Sequence, residues 1–307
     1  MSTAAQTFDS FREKWENNPD LAFAMTQQKG SEIQSWILNR NGFNDCDQLR
    51  AFLAGKRRIL DAGCGNGRVT ALLHAHASEA AQIVGVDLTA AEVARRNLAG
   101  YSRVTVHQAD LMRDLSALGQ FDFIYCQEVL HHTRDPKQAF LNLVALLEPG
   151  GEIAIYVYKI KAPAREFVDD YVRHLVSGCD YADAMRHMQQ ITELGRVLTE
   201  TGLKVTVPTV DVLGIEAGEY DVQRFLYHFF CKCFWNPELS FEANVAINYD
   251  WYHPQLCTRH TVEEISGWFE EAGLSVVHTR VDPYGITVRG RVSDNCASAD
   301  RLTHRST

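Results

Sequence analysis

The sequence predicts an α/β chain built on a doubly wound, mostly parallel sheet, and three observations carry that prediction. Short apolar runs recur at 59–62, 82–87, 104–111, 121–127 and 153–158, with helix-period segments between them. Several of these runs end on acidic or polar residues, as strands do where a parallel sheet opens to ligands. The first run enters a helix through Asp61-Ala62-Gly63-Cys64-Gly65-Asn66-Gly67, with glycine at alternate positions. With 307 residues and 46% hydrophobic content, the chain can form one elaborated domain or two small ones.

Residues 1–55 read as helices that precede the sheet. Ile33, Trp36 and Ile37 make one helical stripe, and Leu49, Phe52 and Leu53 make another after an N-cap at Asp45 or Asp47. The strand Ile59–Ala62 then turns into the helix that starts at Arg68. So sharp a turn needs residues without Cβ, both for positive φ and for close ligand approach. It also aims the free N–H groups of the helix start at whatever lies above the loop. The dinucleotide order G-x-G-x-x-G fails, because the sixth position from Gly63 is Arg68, and no Gly-Lys-Ser/Thr follows to make a phosphate loop.

Gln82–Asp87 is the second strand, ending on an acid about twenty residues past the loop. A carboxylate there can accept both hydroxyls of a ribose. The third run, 104–111, closes on Ala109-Asp110-Leu111. The fourth spills polar groups at its end, in Gln127-Glu128-Val129-Leu130-His131-His132. Asp135 and Pro136 then suit the N-cap and first position of a helix with Ala139, Phe140, Leu143, Val144 and Leu147 on one face. Glu148-Pro149-Gly150-Gly151 is expected to stop that helix before a fifth strand, Ile153–Tyr158.

The acid-x-Gly-x-Gly-x-Gly loop, the acid-ended second and third strands and the Val-Leu-His-His and Leu-Glu-Pro-Gly-Gly segments resemble class I S-adenosylmethionine-dependent methyltransferases. The branch containing the ubiquinone and menaquinone methyltransferases is the most similar. The resemblance spans about residues 56–160 and again about 259–290. It implies a Rossmann-like sheet whose final strand is reversed, with S-adenosylmethionine as cofactor. It further implies cofactor binding by Asp61, Gly63, Cys64, Gly65, Gly67, Asp87, Leu88, Ala109, Asp110, Leu111 and Gln127. Asp110 would meet the adenine amino group, and Met112 is a weaker candidate for packing on the base.

Residues 160–258 form a largely helical insertion that the family core does not require, and a cap over the methyl acceptor is its expected purpose. Phe167, Tyr171, Val172 and Leu175 mark one helix; Met185, Met188, Ile191, Leu194 and Leu198 mark a longer one that ends at Gly202. A β-like stretch, Lys204–Pro208, and an aromatic run from Phe225 to Trp235 follow. The polar-aromatic group Tyr249, Trp251, Tyr252 and His253, together with Glu128, is the candidate acceptor site, since a flat acceptor or a sulfonium can lie against such rings. Phe11 and Trp15 are candidates for a lid in the N-terminal extension.

The core resumes over 259–291. Thr261-Val262-Glu263-Glu264 is a capping box. Ile265, Trp268, Phe269 and Ala272 continue its helix to Gly273. Strands Ser275–Val281 and Tyr284–Arg291 flank Asp282-Pro283, and 292–307 reads as a loose tail.

A net charge of −9 argues against an extended nucleic-acid surface. The first thirty residues show neither a signal peptide nor an anchor, and no stretch is long enough to span a bilayer, so a cytoplasmic protein is expected. A homo-oligomer is left open. The eight cysteines lack paired zinc spacing, no metal is expected, and Cys231, Cys233 and Cys257 read as small buried hydrophobes.

The predicted activity is in-line methyl transfer to a small, partly apolar molecule, with oxygen, nitrogen and carbon acceptors all open. His131 and His132 are the candidate general bases, because imidazole has the ordinary pKa for the task. The competing readings are an RNA- or protein-modifying methyltransferase and a non-catalytic S-adenosylmethionine-binding regulator.

Overall fold

The structure is a computed structural model that describes residues 2–293. Beyond residue 293 the expected tail lies outside the described residues. Helices α1 (Thr3–Asn17), α2 (Phe23–Gln27), α3 (Glu32–Arg40) and α4 (Cys46–Leu53) come first. Then follow β1 (Arg58–Ala62), α5 (Arg68–His76), β2 (Gln82–Asp87), α6 (Ala91–Asn97), β3 (Val104–Gln108), β4 (Phe121–Gln127), α7 (Pro136–Val144) and β5 (Leu147–Tyr158). Next are α8 (Pro163–Val176), α9 (Tyr181–Glu200), strands β6 (Lys204–Val207) and β7 (Gly218–Asp221), α10 (Val222–Phe229) and α11 (Phe241–Tyr252). The chain closes with α12 (Val262–Glu271), β8 (Leu274–Val281) and β9 (Gly285–Val292).

Two compact units result: a sheet unit of Pro19–Lys159 with the chain from Thr258, and a helical unit of the chain up to Asn18 with Ile160–Cys257. In the sheet unit the strand order is β3-β2-β1-β4-β5-β9-β8. Pairing is parallel from β3 across to β5, and β9 alone runs against its neighbours. Alternate residues of one strand enter opposite faces. Leu60, Ala62 and Ile124 pack with Phe140 and Phe269, whereas Ile59, Ile83 and Phe123 pack with Ile37, Leu53 and Leu72. Helices thus cover both faces, which is why the strands read as continuous apolar runs. The order reverses between β1 and β4, so their carboxyl ends frame the crevice where this architecture meets ligands.

Two boundaries differ from expectation. Helix α7 ends at Val144, and Leu147 already belongs to β5. Leu147 pairs with Phe121 and Glu152 pairs with Phe123, so Glu148–Gly151 forms a bulge in the strand. Gly150 supplies the positive φ that the bulge requires. The third strand stops at Gln108, which leaves Ala109, Asp110 and Leu111 in the segment just past its carboxyl end.

The first 55 residues divide between the units. Helices α2 to α4 belong to the sheet unit, and α1 belongs to the helical one. Gln6 on α1 donates to the carbonyls of Ser177 (3.0 Å) and His253 (2.9 Å), and Lys14 pairs with Asp250 at 2.9 Å. The hub of the helical unit is the buried carboxylate of Asp169. It accepts from Arg165 Nε (2.6 Å), Trp251 Nε1 (2.8 Å), the Tyr252 hydroxyl (2.8 Å) and Lys232 N–H (3.0 Å). A buried charge supplied with so many donors is tolerable where an unpaired one would not be.

Candidate active site

The loop after β1 owes its shape to glycines in the left-handed region, with φ of +81° at Gly63, +54° at Gly65 and +87° at Gly67. At Gly63 a Cβ would sit 2.2 Å from Val129 Cγ2, so no larger residue fits beside the segment that follows β4. Gly63 and Cys64 donate their N–H groups to the Val86 carbonyl at 2.7 and 3.0 Å, which fastens the loop to β2. Asn66 is buried and donates to the carbonyls of Pro19 (2.9 Å) and Leu21 (3.0 Å). Asn97 donates to Pro19 as well and to the carbonyl of Asn66 (3.0 Å), so both sides of the loop are pinned.

Asp61 lies buried under this loop and accepts the Thr70 hydroxyl at 2.6 Å. Burial pushes its carboxyl up to about 7, against the lowering effect of that bond. Burial likewise raises the Cys64 thiol, which makes it a small inert wall and not a nucleophile. Asp87, at the end of β2, accepts Gly65 N–H through Oδ2 (2.9 Å). Its Oδ1 accepts the Thr89 and Ala90 N–H groups (2.8 Å each) and the Thr89 hydroxyl (3.1 Å). One carboxylate therefore fixes both the glycine loop and the turn into α6. Past β3, Asp110 is half-buried and accepts Met112 N–H at 2.9 Å.

The carboxyl end of β4 carries a second cluster. Gln127 is buried, accepts from the Tyr125 hydroxyl and Asn41 (3.2 Å each), and donates to Asn41 Oδ1. Glu128 adopts φ of +65°, uncommon for a residue with a Cβ and a mark of local strain. Its carboxylate lies 3.9 Å from Arg40 Nη1 and 3.7 Å from Arg68 Nη2. Arg40 is buried, its guanidinium carbon 3.3 Å from the Trp36 ring centre and 3.6 Å from that of Tyr156. Among the described residues its Nε and Nη2 have no hydrogen-bond partner. Arg40 is thus a cation fixed between two rings at the last residue of α3, with Glu128 as its neighbouring anion.

A model of the methyltransferase domain family matches residues 38–207, more than half of the chain. The chain belongs to the class I methyltransferases. The donor in this family is S-adenosylmethionine. An uncharacterised protein of Synechococcus is 40% identical over 114 residues, which is 36% of this chain and 27% of that protein. The chain thus spans about a quarter of that relative's length. A ubiquinone biosynthesis O-methyltransferase of Aromatoleum aromaticum is 31% identical over 174 residues, covering 54% of this chain and 69% of the relative. Among solved structures, PKMT2 from Rickettsia typhi superposes with a TM-score of 0.53 at 14% identity, over 82% of this chain and 53% of that one, and supports the fold alone.

Most of the methyltransferase residues expected from sequence gather at this one edge of the sheet. Leu88 is exposed and its carbonyl accepts from Gln108. Ala109 packs against the core, and Leu111 is buried within it. The histidines separate in character. His131 is fully buried and stacks on Tyr158 at 3.6 Å, while its carbonyl accepts Thr258 N–H at 2.9 Å. His132 is half-buried and meets His131 edge-on.

Tyr249, Trp251, Tyr252 and His253 lie in the interior of the helical unit. The polar atoms of Trp251 and Tyr252 are engaged by Asp169, and His253 contacts Ser10 Oγ at 2.9 Å. Burial raises the Tyr249 and Tyr252 hydroxyls and lowers His253, which disfavours any charge on these rings. Phe11 and Trp15, the lid candidates, are half-buried on α1 in the same unit. Among the described residues no cluster of three metal-ligating side chains occurs. Sequence reasoning missed Arg40, Arg68, Asn41 and Thr70. Arg68 and Thr70 stand directly after the glycine loop and were open to notice, whereas Arg40 carries no local signal.

Proposed function

We propose that this chain transfers a methyl group from S-adenosylmethionine to a small, partly apolar acceptor in the cytoplasm. The observation that carries the reading is the Asp87 carboxylate at the end of β2 bonded to the glycine loop, with Arg40 and Arg68 on either side of Glu128 past the end of β4. These match the three chemically distinct parts of the cofactor. The Asp87 carboxylate takes the ribose hydroxyls, and the backbone of Gly63, Cys64, Gly65 and Gly67 carries the methionine chain of the sulfonium above Asp61. Arg40 receives the methionine carboxylate. Asp110 reads the adenine amino group, with Leu88, Ala109, Leu111 and Met112 around the ring, and Gln127 completes the wall.

When bound, the sulfonium supplies an activated methyl group that needs alignment more than activation. Alignment of this kind is worth up to roughly 7–11 kcal/mol of barrier. A phenolic or carbon acid still has a proton to lose, and a positioned base adds about 10²–10⁴-fold. His132, the less buried of the pair, holds that role, and His131 on its Tyr158 stack positions it. Glu128, held between two guanidinium groups, faces the polar end of the acceptor. The ubiquinone biosynthesis O-methyltransferase relative supports an oxygen acceptor, and the acidic total supports a small molecule over RNA.

Radiolabelled methyl transfer from S-adenosylmethionine into separated small-molecule, RNA and protein fractions tests the proposal. Label in the small-molecule fraction is expected, and label confined to RNA or protein refutes it. The His132→Ala variant should lose about 10²–10⁴-fold in kcat, and an unchanged kcat removes the base assignment.

A further inference from the structure

Helix α8 buries a row of charges and exposes a row of large apolar side chains. A helix on a globular unit normally buries its apolar stripe and shows its charges. Here Arg165, Asp169 and Arg173, at four-residue spacing, are 2%, 1% and 5% exposed. Arg165 and Asp169 pair with each other inside, and Arg173 donates to the Trp251 carbonyl at 3.0 Å and pairs with the exposed Asp170. The outer row, at the same spacing, is Phe167, Tyr171 and Leu175, which are 74%, 58% and 56% exposed. The apolar surface continues past the helix start. Gly214 approaches Pro163 so closely that a Cβ would lie 3.3 Å from its Cδ, and beside Gly214 stands Val212, 81% exposed.

We propose that this row is the centre of a two-fold interface with a second copy of the chain. Phe167 and Tyr171 each expose well over half of a side chain of roughly 150–250 Å². With Leu175 and Val212 the patch reaches about 400 Å² per copy, near the upper range found on monomers. Doubled by symmetry and widened by its rim, it approaches the roughly 1,200–2,000 Å² of specific interfaces. The row is also self-complementary. Antiparallel pairing about Tyr171 sets that ring on its own mate and Phe167 opposite Leu175. Asp170, which pairs with Arg173 of its own helix, stands at the rim of the row. An anionic lipid surface fits less well, since Asp170 and Asp211 would face it in a chain of net charge −9. Rows at four-residue spacing interlock with copies of themselves, as in the commonest class of helix packing.

Sedimentation velocity from micromolar to hundreds of micromolar tests this directly. A particle of twice the 34.6 kDa chain is expected. Phe167→Asp with Tyr171→Asp should raise the dissociation constant by on the order of 100-fold. S-adenosylmethionine titration should give an unchanged affinity in that variant, which shows that it folds. In a Tyr171→Cys variant, mild oxidation should join two copies through the new thiol beyond the wild-type background, because position 171 lies on the axis. A monomer throughout the range overturns the proposal, as does a dimer insensitive to the paired aspartates. Co-sedimentation of a monomeric chain with phosphatidylglycerol vesicles through the same residues also overturns it.

Discussion

Replacing Gly63 with alanine probes the loop at its tightest point. The added Cβ would lie 2.2 Å from Val129 Cγ2, 2.7 Å from Cγ1 and 2.9 Å from Cβ, at a residue whose φ is +81°. The left-handed backbone costs an alanine about 1–2 kcal/mol. Overpacking against a stiff β-branched side chain adds about 1–3 kcal/mol. The expected loss is therefore about 2–5 kcal/mol of stability, with a large loss of cofactor affinity as the loop shifts. The two contributions separate in large part in a cycle with Val129→Ala, which removes both Cγ atoms and leaves the backbone cost with the single 2.9 Å contact to Cβ. The double variant should recover the crowding part, giving a coupling of about 1–3 kcal/mol. Urea unfolding measures the stabilities and titration calorimetry the S-adenosylmethionine affinities. Gly55→Ala is the control, since its Cβ would have nothing within 4 Å, and it should fall within about 0.5 kcal/mol of wild type. A Gly63→Ala variant as mild as that control, or strict additivity in the cycle, would refute the steric reading.

Three further outcomes are expected. Asp61 has a folded carboxyl raised to about 7, so the folded chain holds a proton there that the unfolded chain releases near 4. Stability of the cofactor-free chain should fall as pH rises through that window, by up to about 1.4 kcal/mol per pH unit, and Asp61→Asn should flatten the slope; an unaltered slope contradicts the assignment. Arg40→Met should weaken S-adenosylmethionine binding about 10–100-fold, the worth of charged hydrogen bonds, seen as a higher KM with kcat largely kept. Equal affinity in calorimetry would remove Arg40 from the site. Asp169→Asn leaves the Arg165 cation without its carboxylate and should cost about 3–5 kcal/mol in denaturant unfolding, and a loss under about 1 kcal/mol would show that the hub is not structural.

The sheet was legible because burial on both faces writes each strand as an unbroken apolar run, and because the acids at 61, 87 and 110 mark the ends that face ligands. The turn chemistry of Gly63, Gly65 and Gly67 was legible because glycine adopts such dihedrals at the least cost. Arg40 was not, because its role comes from a ring on either side, one from Trp36 nearby and one from Tyr156 far along the chain. The helical unit was read least well. Apolar periodicity finds α8 but cannot say which side is inside, and there the charged row goes in because Asp169 collects donors from residues as distant as 252. Aromatic residues such as Trp251 and Tyr252 look alike in sequence whether they line a cleft or fill a core. The bulge after α7 was hidden by Pro149 and Gly150, which signal a stop equally well in a loop or in an irregular strand.

Titration calorimetry with S-adenosylmethionine and, separately, NADH is the most direct measurement of the central claim. Saturable heat with S-adenosylmethionine, lost in Asp87→Ala and Gly65→Arg, and no heat with NADH are the expected results. Tight NADH binding, or S-adenosylmethionine affinity unchanged in both variants, would contradict the account.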